Sequence, residues 1–426
     1  MQVSVFDLAL CLSRALDLID PTLVAHHERV AYISWRIAQE AGLPLEEESR
    51  IILAGLLHDS GALSLTERMG SLAFEVDHPQ HHAEVGYRLL KDFSHPAFSF
   101  QEVAEFVRFH HAPWREHPDV PLGSQILHLA DRIAVLIGNQ REVLSQAEEI
   151  VRRIDQQAGL MFSPDLVAVF HRLALKESFW LYSAQPPLQH LREHREWEVT
   201  DLDGLLGMAR LCGKIIDFRS SFTATHSSGV SAVAVAVARY ANMSEEECAM
   251  MRVAGFLHDL GKLAVPSEIL EKPGKLTKEE FEVIRSHTFF TYETLDALPE
   301  LKTINSWASF HHERLDGRGY PFHHGRRELS LGARIMAVAD VFTAITEDRP
   351  YRAGMEQDAA VRLLEKMAFD GALDENVVAL LASHASEIAD LRAEVQTQAE
   401  SEYRGFERGA SLVAASQSEG FSRSPS

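Results

Sequence analysis

The chain has 426 residues, a length that suggests two or three domains, and its 46% hydrophobic content is ample for buried cores. A formal charge of −21 argues against sequence-independent DNA or RNA binding, which needs a basic surface to release counterions. Three cysteines (Cys11, Cys212, Cys248), scattered without CxxC spacing, argue against a disulfide framework or a thiolate metal site and fit a reducing cytoplasm.

In chain order, the opening MQVSVFDLALCLSRALDLID lacks a basic leader and is interrupted by Asp7, Arg14 and Asp17, so it is not expected to act as an export signal. Val30, Ile33, Ile37 and Ala41 follow a helical period, as do the stretches 50–57 and 98–109. Gln185-Pro186-Pro187 and the charged run 191–198 mark a join, and a helix is expected over about 201–218. Residues 230–238, VSAVAVAVA, alternate as a strand would, yet this most apolar stretch is far too short to span a membrane. Beyond about residue 400 the composition turns to Ser, Gly, Glu and Arg, and disorder is expected there. The division is therefore 1–185, a linker 186–204, 205–400 and a tail 401–426.

The chain repeats itself at a period near 200 residues. AGLLHDSGALSL (54–65) is similar to AGFLHDLGKLAV (254–265). His26 precedes His58 by 32 residues, and His226 precedes His258 by 32. His110-His111 begin 52 residues after His58, and His311-His312 begin 53 after His258; each copy then ends in an Ala-Asp pair, at Asp131 and Asp340. Because 230–238 aligns with the helical stretch around Val30–Ala41, it is expected to be a buried helix. No convincing strand series appears, and the fold class is all-α.

Copy two offers His226, His258-Asp259, His287, His311-His312 and Asp340. Imidazoles and carboxylates suit divalent Fe, Mn, Zn or Ni, and seven ligands are about right for two metals that keep open positions. A single buried histidine is more often a hydrogen-bonded core residue, and an Asp beside a His can simply orient it; an ordered set occurring twice is not explained that way.

FLHDLGK (256–262), VPSEILEKPGKLTKEE (265–280), HHERLDGRGYP (311–321) and ADVFTAITEDRPYR (339–352) resemble the HD-GYP family of the HD phosphohydrolase superfamily, with similarity over roughly 200–385. The resemblance implies tandem HD-type helical domains and a cyclic dinucleotide phosphodiesterase, acting on cyclic di-GMP or a related molecule such as 3′,3′-cyclic GMP-AMP, with two bound divalent ions, Fe or Mn. One ion would be held by His226, His258 and Asp340, the other by His287, His311 and His312, with Asp259 bridging. Lys262 would face a substrate phosphate, Gly319, Tyr320 and Pro321 would shape a loop over the substrate, and Arg314 would be available to a phosphate or guanine. Arg349 and Arg352 are as readily explained by exposed salt bridges. The family's trinuclear members carry Glu four residues before the first histidine; Phe222 stands here, so a binuclear centre is expected. Thr343 stands where the family commonly has a second Asp.

Copy one retains His26, His58, Asp59, His82, His110, His111 and Asp131, a second candidate metal set, but has Ala62 in place of the lysine and no GYP segment. His27, His78, His81 and His95 are expected at the surface. Copy one could be a second nucleotide phosphohydrolase, a regulatory metal or nucleotide module, or a structural copy; the retained ligands favour metal binding. The competing reading for the whole chain is an adaptor that binds a cyclic dinucleotide without turnover. A cytoplasmic protein is expected, without membrane or nucleic-acid partners, with a homodimer or a signalling partner left open.

Overall fold

The computed structural model describes residues 1–18, 25–62, 80–91, 93–95, 98–138, 141–193, 196–218, 225–272, 274–348 and 353–421. Phe222, His78, Arg349 and Arg352 lie outside these residues. The chain divides into two compact units, Ser4–Val199 with Arg408–Ser426, and Met1–Val3 with Thr200–Glu407. Among the described residues, strands are limited to two-residue pieces such as Ser94–His95 and Phe98–Ser99, so the fold is all-α.

The first unit contains α1 (Val5–Asp17), α2 (His26–Ala41), α3 (Leu45–Leu57), α4 (Gln80–Leu90), α5 (Gln101–Arg108), α6 (Leu122–Leu136), α7 (Ala147–Asp155), α8 (Pro164–Ala174), α9 (Glu177–Ala184) and α10 (Leu188–Glu193). The second contains α11 (Leu202–Asp217), α12 (His226–Tyr240), α13 (Glu245–Leu257), α14 (Ser267–Leu270), α15 (Lys278–Asp296), α16 (Lys302–Ser309), α17 (Leu331–Thr346), α18 (Gln357–Phe369), α19 (Glu375–Ser383) and, as far as Glu407, α20 (Ala385–Phe421).

The repeat is visible in the packing. In the first unit α2 lies against α3 and α6, and α4 against α5; in the second α12 lies against α13 and α17, and α15 against α16. VSAVAVAVA forms the middle of α12, where Val230, Val233, Ala234, Val237 and Ala238 are fully buried. Small residues let α12 and α13 nearly touch. A Cβ on Gly255 would sit 2.5 Å from Ser231 Cα, and one on Gly55 would sit 2.6 Å from Ala31 Cα, so both copies need glycine at the same crossing.

Two helices that carry metal-type residues have strong start signals. Ser244 opens α13 with a capping box, its Oγ accepting from the Glu247 amide while the Glu247 carboxylate accepts from the Ser244 amide. Thr277 and Glu280 do the same for α15. Residues 401–421, where composition suggested disorder, continue α20. Tyr403 and Phe406, three residues apart, both pack on Phe218 at 4.9 Å, and Glu402 pairs with Lys214 at 2.9 Å, a one-sided stripe that a Ser- and Gly-rich composition conceals.

Candidate metal centres

Each unit gathers its histidines and aspartates from the same helical positions. In the second unit His226 begins α12, His258 and Asp259 directly follow α13, His287 lies within α15, His311 and His312 follow α16, and Asp340 lies within α17. All but His312, which is partly exposed, are buried.

The residues form two adjoining groups. His226 Nε2 lies 3.2 Å from Asp340 Oδ1, and His258 Nε2 lies 3.2 Å from Asp259 Oδ2 and 3.9 Å from Asp340 Oδ1. In the other group His287 Nε2 stands 3.3 Å from His311 Nε2, and His312 completes a three-nitrogen cluster. Asp259 faces both: Oδ2 is turned to His258, while Oδ1 is 3.4 Å from His287. Asp340 Oδ2 is 3.9 Å from His312 Nδ1.

Protonation follows from the second ring nitrogen. His258, His287 and His311 each donate Nδ1–H to the carbonyl three residues back, on Gly255, Ile284 and Ala308, at 2.7, 2.6 and 2.6 Å. A carbonyl only accepts, so each Nε2 carries a lone pair aimed into the cluster. Two such lone pairs, on His287 and His311, face each other at 3.3 Å and repel unless a cation lies between them. His258 Nε2 is buried and makes no hydrogen bond. The donor set therefore fits divalent metal, and the ring orientation is the one metal-bound histidine adopts.

The electrostatics agree. Burial pushes His287 down to about 3 and holds His311 well below its ordinary value, so both are neutral. Burial alone would raise Asp259 and Asp340; His258 and Lys262 beside the first, and His226 and His312 beside the second, hold both well below the carboxylate range. His226 differs. Burial would lower it, but Glu347 and Asp340 push it up to about 10, a demand for positive charge that a metal ion at Nε2 meets as well as a proton does.

The flanking residues are placed as follows. Lys262 follows the His-Asp pair and its Nζ donates to Asp259 Oδ2 at 2.5 Å. The Tyr320 ring lies 5.0 Å from His312, and a Cβ on buried Gly319 would sit 2.4 Å from the Arg314 amide, so only glycine lets this loop close on its own start. Pro321 is partly buried beside it. Arg314, expected to be available to a ligand, is turned away onto Asp316, with contacts of 3.1 and 2.8 Å, because the tight loop puts that carboxylate two residues away. Thr343 is fully buried. Sequence reading missed Arg285, whose guanidinium lies over the Tyr320 ring at 4.7 Å, and Glu347, whose carboxylate meets His226. It also missed Asp217, whose carboxylate accepts from the Ser227 amide and hydroxyl, at 3.2 and 2.9 Å, and which burial raises to about 7. The internal repeat was the available signal for it, since Asp17 holds the same position in copy one.

In the first unit, His26, His58, Asp59, His82, His110, His111 and Asp131 are all buried and converge likewise. His26 Nε2 is 3.3 Å from Asp131 Oδ1, His82 Nε2 is 3.3 Å from Asp59 Oδ1, and His82 and His111 face each other at 3.0 Å. His58 and His110 donate Nδ1–H to the carbonyls of Gly55 and Val107 and leave Nε2 buried without a hydrogen bond. Ala62 occupies the lysine position, and a buried Arg132 contacts Asp131 at 2.5 Å. His27, expected at the surface, is buried because its ring caps the Asp17 carboxylate; His81 is partly buried.

Models of the HD domain match the chain twice, over residues 23–136 and 210–377. The 3′3′-cGAMP-specific phosphodiesterase 1 of Vibrio cholerae is 29% identical over 387 residues, 86% of this chain and 88% of that protein. The cyclic di-GMP phosphodiesterase PA4108 of Pseudomonas aeruginosa is 39% identical over 176 residues, 41% of each chain. Among solved structures, the cyclic GMP-AMP specific phosphodiesterase V-cGAP3 of V. cholerae aligns with a TM-score of 0.62 at 25% identity, covering 91% of this chain and 98% of that one. No helix among the described residues is long and apolar enough to cross a membrane.

Proposed function

We propose, for a chain that belongs to the HD-domain family with two HD domains, the second of HD-GYP type, that its C-terminal centre hydrolyses a cyclic dinucleotide to the linear form. The observation that carries this reading is Asp259, whose two oxygens are turned to two separate groups of metal-type residues. The protein is a metal-dependent phosphodiesterase of the cyclic dinucleotide class, as are its relatives. The hybrid guanine–adenine ring is the first substrate to test, because the relative aligned across both domains is named for it.

His226, His258 and Asp340 would hold one divalent ion, His287, His311 and His312 the other, and Asp259 would join them. Such a pair supplies an acidified water and positive charge beside a phosphodiester. The chain's own groups do the rest. Backbone carbonyls keep three imidazoles in the lone-pair-inward tautomer, so no proton must leave them before binding. Lys262, which donates to Asp259, would swing its ammonium to a phosphoryl oxygen and stabilise charge developing there. Tyr320 offers a ring face next to His312 for substrate, backed by the Arg285 guanidinium. Gly319 and Pro321 keep that ring in place, and Arg314 could contribute only by leaving Asp316.

The N-terminal centre is proposed to bind metal through its own seven residues without sharing this reaction. Arg132 stands where the second copy has Val341, and the lysine is missing. The test uses the full chain loaded with Mn(II) and 3′,3′-cyclic GMP-AMP or cyclic di-GMP, with products followed by chromatography. Asp259→Ala is expected to lose turnover and the metal of the C-terminal centre, and Asp59→Ala to retain cyclic dinucleotide hydrolysis. Loss of hydrolysis in Asp59→Ala alone would refute this division of labour; wild-type protein that binds the dinucleotide unchanged would support the adaptor reading instead.

A further inference from the structure

His226 is the exception among the second unit's buried histidine ligands. His258, His287 and His311 each find a carbonyl three residues back, within or at the end of their own helices. His226 is the first residue of α12. Its Nδ1–H goes instead to Glu347, 121 residues later, at 3.0 Å to Oε2 and 3.2 Å to Oε1. Glu347 is itself buried, and Gln396 of α20 donates its amide Nε2–H to Oε1 at 2.5 Å. The same amide reaches the carbonyl of Thr225, the residue before α12, at 3.4 Å. One turn further along, α12 has Gly229, where a Cβ would come within 2.7 Å of Gln396 Nε2. Arg392, one turn before Gln396 on the same face of α20, is partly buried, and the charges of Glu347 and Asp348 act on its guanidinium.

We infer that Glu347 is a positioning residue for the metal ion bound through His226, and that α20, which lies beyond the segment matched by the HD-domain model, completes that centre by anchoring Glu347 through Gln396. The carboxylate fixes the tautomer of His226 and makes its Nε2 a stronger donor, as carboxylate partners of metal-bound histidines do. The amide of Gln396 fixes the carboxylate in turn. The centre is therefore asymmetric: one group has a histidine oriented by tertiary contacts from the C-terminal helix, while in the other His287 and His311 are oriented within their own segments.

This inference rests on the reading of His226 as a metal ligand. The test is Mn(II) titration of the metal-free full chain, followed by electron paramagnetic resonance and calorimetry, for wild type, Glu347→Gln, Glu347→Ala and Gln396→Ala. To isolate the C-terminal centre, all are made on an Asp59→Ala background. Glu347→Gln keeps an acceptor and loses charge; Glu347→Ala loses both. The expected result is two classes of Mn(II) in the parent, with one weakened about 10- to 100-fold in Glu347→Ala, less in Glu347→Gln and Gln396→Ala, and the other unchanged. Parent affinities for both ions in folded Glu347→Gln and Gln396→Ala would overturn the inference. Equal weakening of both ions would overturn it too, because a merely structural role predicts that pattern. If the parent itself binds no second ion, it is the ligand assignment that has failed, and the two failures are thereby distinguished. Should Glu347→Ala not fold, the other two variants decide the question.

Discussion

Histidine at this centre is decided by which of its nitrogens is occupied. Where a carbonyl accepts the Nδ1 proton, Nε2 keeps the lone pair a metal would need, and burial keeps the ring neutral by penalising the charged form. Lys262 is a residue whose role can be separated from metal binding, since it touches Asp259 but is not among the candidate ligands. Lys262→Met is expected to lower kcat by about 10²-fold with metal content retained, because it removes one charge from the phosphoryl group and none from the ligand set. Steady-state kinetics beside metal analysis checks this; loss of metal together with activity would make Lys262 a structural partner of Asp259. Residues of this kind were legible in the sequence. His, Asp and Lys at repeated spacings carry their chemistry in their identity. Glu347, Arg285 and Asp217 were not, because a carboxylate or guanidinium is ordinary in sequence and acquires its role from what it touches.

At the scale of elements, the crossing of α12 with α13 and the approach of α15 to the turn after His258 set where the ligands meet. A Cβ on Gly261 would lie 1.9 Å from the His287 carbonyl, and the equivalent Gly61 would meet the His82 carbonyl at 2.1 Å. The backbone of the histidine-bearing helix rests on that glycine in both copies. Gly261→Ala is therefore expected to destabilise the second unit by about 3 kcal/mol and to weaken metal binding, since helix and ligand must shift together. Urea denaturation with parallel metal titration checks it; wild-type values in both would show that α15 can move freely. The helical assignment of 230–238 shows what local pattern can and cannot do. Alternating Val and Ala satisfy a strand period as well as a buried helix, and only comparison with the other copy separated them. The helix through 401–421 escaped notice because the partner of Tyr403 and Phe406, Phe218, is nearly two hundred residues away.

The whole molecule is a duplication whose halves have diverged at the groups that surround the ligands. The residue types match position by position, yet Lys262 corresponds to Ala62 and Val341 to Arg132, and only the second copy has the Gly319-Tyr320-Pro321 segment. Two separate candidate ligand sets predict separable metal binding. In the full chain, Asp59→Ala and Asp259→Ala are each expected to remove about half of the bound Mn(II), and the double variant to remove nearly all of it. Elemental analysis of the purified proteins checks this, and an Asp259→Ala protein with the same metal content as wild type would place the metal elsewhere.

By itself the sequence determined the all-helical class, the duplication, the two ordered sets of imidazoles and carboxylates, and through them the family and its chemistry. These follow from residue identity and spacing, which are properties of a chain before it folds. The tertiary structure alone decided which oxygen of Asp259 faces which group, that Arg314 is committed to Asp316, and that α20 reaches back through Gln396 and Glu347 to His226. A hydrogen bond between residues 121 positions apart leaves no periodic trace, because nothing in the local backbone requires either partner until the helices have packed.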